Sequence, residues 1–314
     1  MESNHTEPPK IPYIAQLLLL VGLFITMGVI FAKAGAYLAQ ILFDIPDINA
    51  FSSSIKIQAE YPQAFLLVRT FETIGGFIIP ALIFPLTIRR KPLGYYNLSR
   101  SLIPVLILLV IAIAYFMAPL IDLSSQLNQK VMLPDFLREI EDWLAEKNQE
   151  IQEIYSVLLD VQSPLKLMVM IVVVAILPAI GEELIFRGAL QNIFTRWTGR
   201  PHAGIWIAAV LFSAIHMQVY LFLPRLLLGA LFGYLVYWTR NLWYPIIAHF
   251  LNNAFVLVAA YYLHLKGEKI NLDEVGTLPL STSIFFILIL FGLIYTFRQI
   301  AYKKKLDDEL ERLD

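Results

Sequence analysis

Long apolar runs broken by short polar turns pattern this chain from end to end. Runs long enough to cross about 30 Å of hydrocarbon, roughly 20 residues each, lie near residues 12–42, 64–88, 101–120, 165–195, 202–218, 221–238, 244–264 and 281–299. The pattern predicts an all-α fold, a single polytopic membrane helix bundle over 1–314 with about eight transmembrane helices. The first and fourth runs exceed a minimal span, so tilt or interfacial extension is expected there. The turn near Met217–Leu221 is short and apolar, which predicts that the fifth and sixth spans form a tight hairpin.

Basic residues in the short polar intervals set the orientation. Arg89, Arg90, Lys91 and Arg100 fall between spans two and three, Arg196 and Arg200 between four and five, Arg240 between six and seven, and Lys303, Lys304 and Lys305 after eight. All share one side if both termini are cytoplasmic. Arg225 is the exception, early in span six near the opposite face, where it either snorkels or lines a cavity. A cleaved signal peptide is the competing reading of the first run, through Ala32-Lys33-Ala34, but Glu2 and Glu7 outweigh Lys10 and the run continues to Phe43. The first run is therefore read as a membrane anchor.

The longest hydrophilic stretch, 121–163, then forms an extracytoplasmic, acidic loop. From Pro134, the residues Phe136, Leu137, Ile140, Trp143, Leu144, Ile151, Ile154, Tyr155 and Leu158 recur mostly three or four apart, an amphipathic helix pattern. The stripe is expected to pack on the outer mouth of the bundle, with partner docking as the alternative. No repeats occur, and Lys303–Asp314 reads as a solvated end of mixed charge.

Composition agrees with a bilayer setting. The chain of 314 residues is 58% hydrophobic and 16% charged, with a mean hydropathy of +0.66, well outside soluble domains. A net charge of −1 gives no sign of nucleic-acid binding. The absence of cysteine excludes disulfides, thiolate metal sites and cysteine nucleophiles.

Against that background the ionisable residues inside the runs stand out, because charge at membrane depth is costly. Glu182, Glu183 and Arg187 lie in the fourth run, His216 in the fifth, His249 and Asn253 in the seventh. At 1.5 Å per residue, Glu182 lies roughly 21 Å from Arg196 and His216 roughly 24 Å from Arg200, while His249 and Asn253 lie roughly 13 and 20 Å beyond Arg240. Their depths overlap. Glu183 and Arg187, Phe212 and His216, and His249 and Asn253 are each four apart, so each pair shares a helix face. Glu182 is offset from Glu183 by about 100°. A Glu183–Arg187 ion pair is the economical assignment and leaves Glu182 free, although the reverse assignment stays open.

Several residues have simpler readings. Arg69 and Glu72, one turn apart in span two, are expected to pair with each other. His5, His202 and His264 fall at a terminus or near span ends and read as interfacial. Pro178 and Gly181, just before Glu182, loosen local helix bonding or serve packing alone. His216 taken alone would read as a core histidine bonded to a backbone carbonyl.

The ordered motifs Glu182-Glu183-Leu-Ile-Phe-Arg187, Phe212-Ser-Ala-Ile-His216 and His249-Phe-Leu-Asn-Asn253 resemble those of the CAAX protease and bacteriocin-processing (CPBP, Abi) family of intramembrane endopeptidases. The resemblance covers roughly 165–255, the region expected to carry the catalytic core. It implies an eight-helix bundle with a cavity open to the cytoplasm, in a family whose enzymes trim prenylated carboxyl-terminal tails or are linked to bacteriocin processing or immunity. It implies catalytic roles for Glu182, His216, His249 and Asn253, supported by Glu183, Arg187 and Phe212.

Peptide hydrolysis needs an activated water, with Glu182 as base and then acid and His216 holding or polarising the water. His249 and Asn253 would stabilise the oxyanion. No cofactor is then required. The alternative is zinc on Glu182, His216 and His249, without the His-Glu-x-x-His motif of common zinc proteases. Readings of another class are a non-catalytic immunity or scaffold protein, and a proton-coupled transporter, for which internal inverted repeats are not seen. The expected partners are the lipid bilayer and a membrane-associated peptide or protein, lipidated or not, with no nucleic acid. The expected location is multi-pass in a prokaryotic cell (inner) membrane, since no organelle or retention signal occurs.

Overall fold

A computed structural model describes residues 11–130, 136, 138–268 and 278–310. His5 lies outside these residues, as do Leu137 of the amphipathic stripe and the end of the charged tail. Among the described residues the structure is helical and without strands. In chain order the main helices are α1 (Tyr13–Phe43), α2 (Pro62–Thr87), α3 (Pro104–Gln129), α4 (Arg138–Leu158), α5 (Pro164–Thr198), α6 (Pro201–Ala214), α7 (Val219–Thr239), α8 (Trp243–Leu265) and α9 (Leu280–Leu310). Proline opens α2, α3, α5 and α6 at the first position, where its missing N–H costs no helical bond. Ser163 caps α5 by accepting from the Lys166 N–H, and Gly199, with φ of 68°, ends it in the left-handed conformation.

Seven of these helices, α1, α2, α3, α5, α7, α8 and α9, are long and apolar enough to cross a membrane. The chain is an integral membrane protein, an all-α polytopic bundle. The fifth predicted span differs: α6 has 14 residues, about 21 Å of helix, and stops before His216. A count of eight passages therefore rests on α6, which packs antiparallel on α7 and against the end of α5.

Three large apolar clusters hold the bundle, beside a small one of Ile205, Ala209 and Ala230 between α6 and α7. One joins α1, the end of α2, the second half of α5 and α6 through Leu20, Phe84, Ile193 and Phe212. A second joins α3, α7, α8 and α9 through Ile113, Leu235, Tyr244 and Phe297. The third, at the other end, packs Phe51, Phe65, Met170 and Leu257 with Ile154 and Leu158 of α4. Only the carboxyl-terminal part of the amphipathic stripe is thus buried. Ile140, Trp143 and Tyr155 are exposed, so the stripe divides between packing and solvent.

Candidate active site

The site is built on α5, whose backbone departs from α geometry twice, in π-helical turns at Ile171–Ile176 and Leu184–Leu190. Such turns are uncommon and cluster at functional sites. Pro178 has no N–H, so the Val174 carbonyl loses the donor that an α-helix would supply. Asn253 on α8 replaces it, its Nδ2 donating to the Val174 oxygen at 3.2 Å. Gly181 has a different reason. A Cβ there would come within 2.8 Å of the Phe77 Cβ, so glycine lets α2 approach α5 one residue before the glutamates.

Glu183 is the hub. Its Oε1 accepts from Arg187 Nη1 at 2.8 Å and from His249 Nδ1 at 2.9 Å. The side chains of Glu183 and Arg187 are only 0% and 1% exposed, so each charge is neutralised where water does not reach. Arg187 Nη2 also donates to the Gly229 carbonyl of α7 at 3.2 Å, and Gln191, one turn on, donates to the Gly233 carbonyl at 3.1 Å. The Arg187 guanidinium lies 4.3 Å from the Phe212 ring centroid and 5.3 Å from that of Phe232, which adds cation–π attraction. Phe212 stands between the imidazoles, edge-on to His216 at 5.1 Å and to His249 at 5.9 Å.

Both imidazoles are oriented through Nδ1. An ionised Glu183 can only accept, so His249 carries its proton on Nδ1 and turns Nε2 toward Glu182, whose Oε2 is 3.9 Å away. His216 Nδ1 donates to the Phe212 carbonyl at 2.8 Å, the backbone bond expected of a core histidine, which here also leaves Nε2 available. Glu182 contrasts with its neighbour in exposure, 14% against 0% for the side chain, and in having no arginine partner among the described residues; the Oε2 atoms of both glutamates are shut off from solvent without a hydrogen-bond partner. The Glu182, Glu183, Arg187, Phe212, His216 and His249 side chains therefore share one region. Asn253 is set apart by its bond to Val174, two turns before Glu182, and its Oδ1 accepts from Asn252 at 3.3 Å.

Glu182, His216 and His249 have the donor chemistry for zinc. Among the described residues, however, no three His, Asp or Glu side chains converge closely enough to hold a metal ion. The other sequence expectations fall as follows. Arg69 and Glu72 pair at 2.9 Å on a half-exposed face. His202 meets the Tyr234 hydroxyl at 3.0 Å at the exposed end of α6.

Residues 164–255 match the protein family described as "Type II CAAX prenyl endopeptidase Rce1-like". The resemblance to the CAAX protease family is borne out over this segment. Two Bacillus subtilis (strain 168) proteins are similar in part. "Uncharacterized protein YpbD" is 31% identical over 103 residues, 32% of this chain and 50% of that protein. "Putative membrane peptidase YdiL" is 34% identical over 89 residues, 28% of this chain and 36% of that protein. The chain spans half or less of the length of these curated relatives. No solved structure matches it.

Every hydrogen bond around Glu183 falls inside this Rce1-like segment. Sequence reading missed four of its participants: Gln191, Gly229, Gly233 and Phe232. Gln191 had a signal, since it stands four positions after Arg187 on the same face. The glycines were legible only as a pair four apart, and their use as carbonyl acceptors depends on how α7 docks.

Proposed function

We propose that this chain is an intramembrane endopeptidase that hydrolyses a peptide bond of a membrane-associated protein or peptide, lipidated or not, with a glutamate-activated water. The host membrane is a prokaryotic inner membrane, and both termini are cytoplasmic. One observation carries the reading: of two adjacent carboxylates, the fully buried Glu183 is committed through Oε1 to Arg187 and His249, while the partly exposed Glu182 has no ion pair with an arginine among the described residues and keeps Oε2 unbonded 3.9 Å from His249 Nε2.

Glu182 takes a proton from water, and the water oxygen bonds to the carbonyl carbon of the peptide. His216 Nε2 orients that water. The negative charge on the carbonyl oxygen is met by Asn253, once its amide exchanges Val174 for the substrate, and by His249 when Nε2 carries a proton in addition to Nδ1. The C–N bond then breaks as the proton passes from Glu182 to the leaving nitrogen. Glu183 and Arg187 fix the His249 ring, and Phe212 separates the two imidazoles.

The test is processing of membrane-anchored proteins in cells carrying wild type, Glu182→Gln or His216→Ala. Cleavage products should vanish in both variants, a loss of about 100-fold or more for a proton-transfer group, with expression and thermal unfolding unchanged. Wild-type processing by both would sink the mechanism.

A further inference from the structure

Three arginines lie at depth in α2, α5 and α7, and two have carboxylate partners: Arg69 with Glu72 and Arg187 with Glu183. The third, Arg225 of α7, has no ion pair among the described residues. Its Nη2 donates to the neutral amide oxygen of Gln218, and its Nη1 is shut off from solvent with no hydrogen-bond partner.

The setting is rigid. Met217 takes a left-handed φ of 54°, costly for a side chain of its kind, and turns the chain back directly after His216. That turn buries Gln218, 6% exposed, against Arg225. Asn128 of α3 clamps the same turn, donating to the Val219 carbonyl at 2.6 Å and accepting from the Leu223 N–H at 2.7 Å. Arg225 lies about 22 Å along α7 from Arg240, the depth at which Glu182 lies on α5. It is within electrostatic reach of Glu182 and of His216.

A guanidinium bonded to a neutral amide and left without a paired carboxylate in an apolar layer calls for an anion from outside the fold. The visitor to this layer, on the peptidase reading above, is the peptide. We propose that Arg225, held in place by Gln218, forms an anion subsite that receives a carboxylate of the peptide being cleaved, from its chain end or from an acidic side chain. A planar guanidinium with a free N–H suits a carboxylate. Arg225 is therefore a substrate-binding residue that sets which bond reaches Glu182.

The test uses full-length protein in lipid nanodiscs and N-acylated peptides with a fluorophore and quencher flanking one neutral central sequence. One peptide ends in a free carboxylate, one in an amide, and one is amidated but carries a single glutamate after the central bond. Wild type should favour one carboxylate-bearing peptide over the neutral amide by about tenfold or more in kcat/KM, mainly through KM. The better of the two identifies the source. In Arg225→Gln the ratio should fall to near unity, and in Arg225→Lys an intermediate ratio should survive. Equal cleavage of all three by wild type, or an undiminished ratio in Arg225→Gln, overturns the subsite.

If no peptide is cleaved, the same ratio is read as Kd on the Glu182→Gln protein, where equal binding of the three overturns the subsite. Unimpaired cleavage by Glu182→Gln defeats the peptidase mechanism alone, because the carboxylate ratio is measured separately.

Discussion

Glu183 and His249, 66 positions apart in the chain, meet at 2.9 Å in the buried centre of the bundle. Because Glu183 Oε1 also holds Arg187, replacing this carboxylate with alanine strands a buried guanidinium and frees the imidazole. Glu183→Ala should cost about 3–5 kcal/mol, the range for breaking a buried pair from one side. Thermal unfolding of purified protein in detergent reads the loss, and an unchanged midpoint would contradict the hub described above.

The bond from Asn253 to the Val174 carbonyl exists because Pro178 cannot donate. Asn253→Ala should then leave a partly buried acceptor unpaired, at about 1 kcal/mol, the low end for an unsatisfied group. In a Pro178→Ala background the restored N–H can fill that role, so the same substitution should cost less. A double-mutant cycle on unfolding midpoints measures the coupling, and strict additivity would refute it.

Gly188 sits under the Tyr96 ring, which a Cβ at that position would run into. The ring has little room to give way, since the Tyr96 hydroxyl donates to the Ala81 carbonyl at 2.7 Å. Gly188→Ala should destabilise by about 1–3 kcal/mol, as overpacked cores do. Stability comparable to wild type would mean that the close approach of α5 to Tyr96 is not needed.

Metal removal tests the glutamate–water scheme against the zinc alternative, for which Glu182, His216 and His249 do not converge closely enough in this structure. Cleavage should survive exhaustive chelation of purified, active protein, with zinc well below one per chain by elemental analysis. Stoichiometric zinc whose removal abolishes activity and whose return restores it would replace the glutamate–water scheme.

Relationships within one helix were legible in the sequence. Glu183–Arg187 and Arg69–Glu72 follow from spacings of four and three, and the apolar runs gave seven spans directly. Relationships between helices were not. Nothing in the order of residues says that His249 meets Glu183 rather than Glu182, because that choice is made when α8 packs on α5. The π turns of α5 escaped for a related reason: reading by period assumes 3.6 residues per turn throughout. The sequence shows Pro178 as a residue that loosens the helix or serves packing alone, yet its consequence, a carbonyl answered from another helix, depends on the position of Asn253. The fifth run was over-read, since its apolar residues continue through the turn at Met217 while helix α6 stops at Ala214.

The two side-chain bonds from Arg187 and Gln191 to the Gly229 and Gly233 carbonyls act like successive teeth of a rack between α5 and α7. Sliding either helix by one turn would break both together, and His249 ties α8 to the same assembly through Glu183. These three helices are cross-linked through their side chains. On the peptidase reading, opening a path to Glu182 by displacing a neighbouring helix breaks none of these bonds, whereas displacing α5, α7 or α8 breaks them.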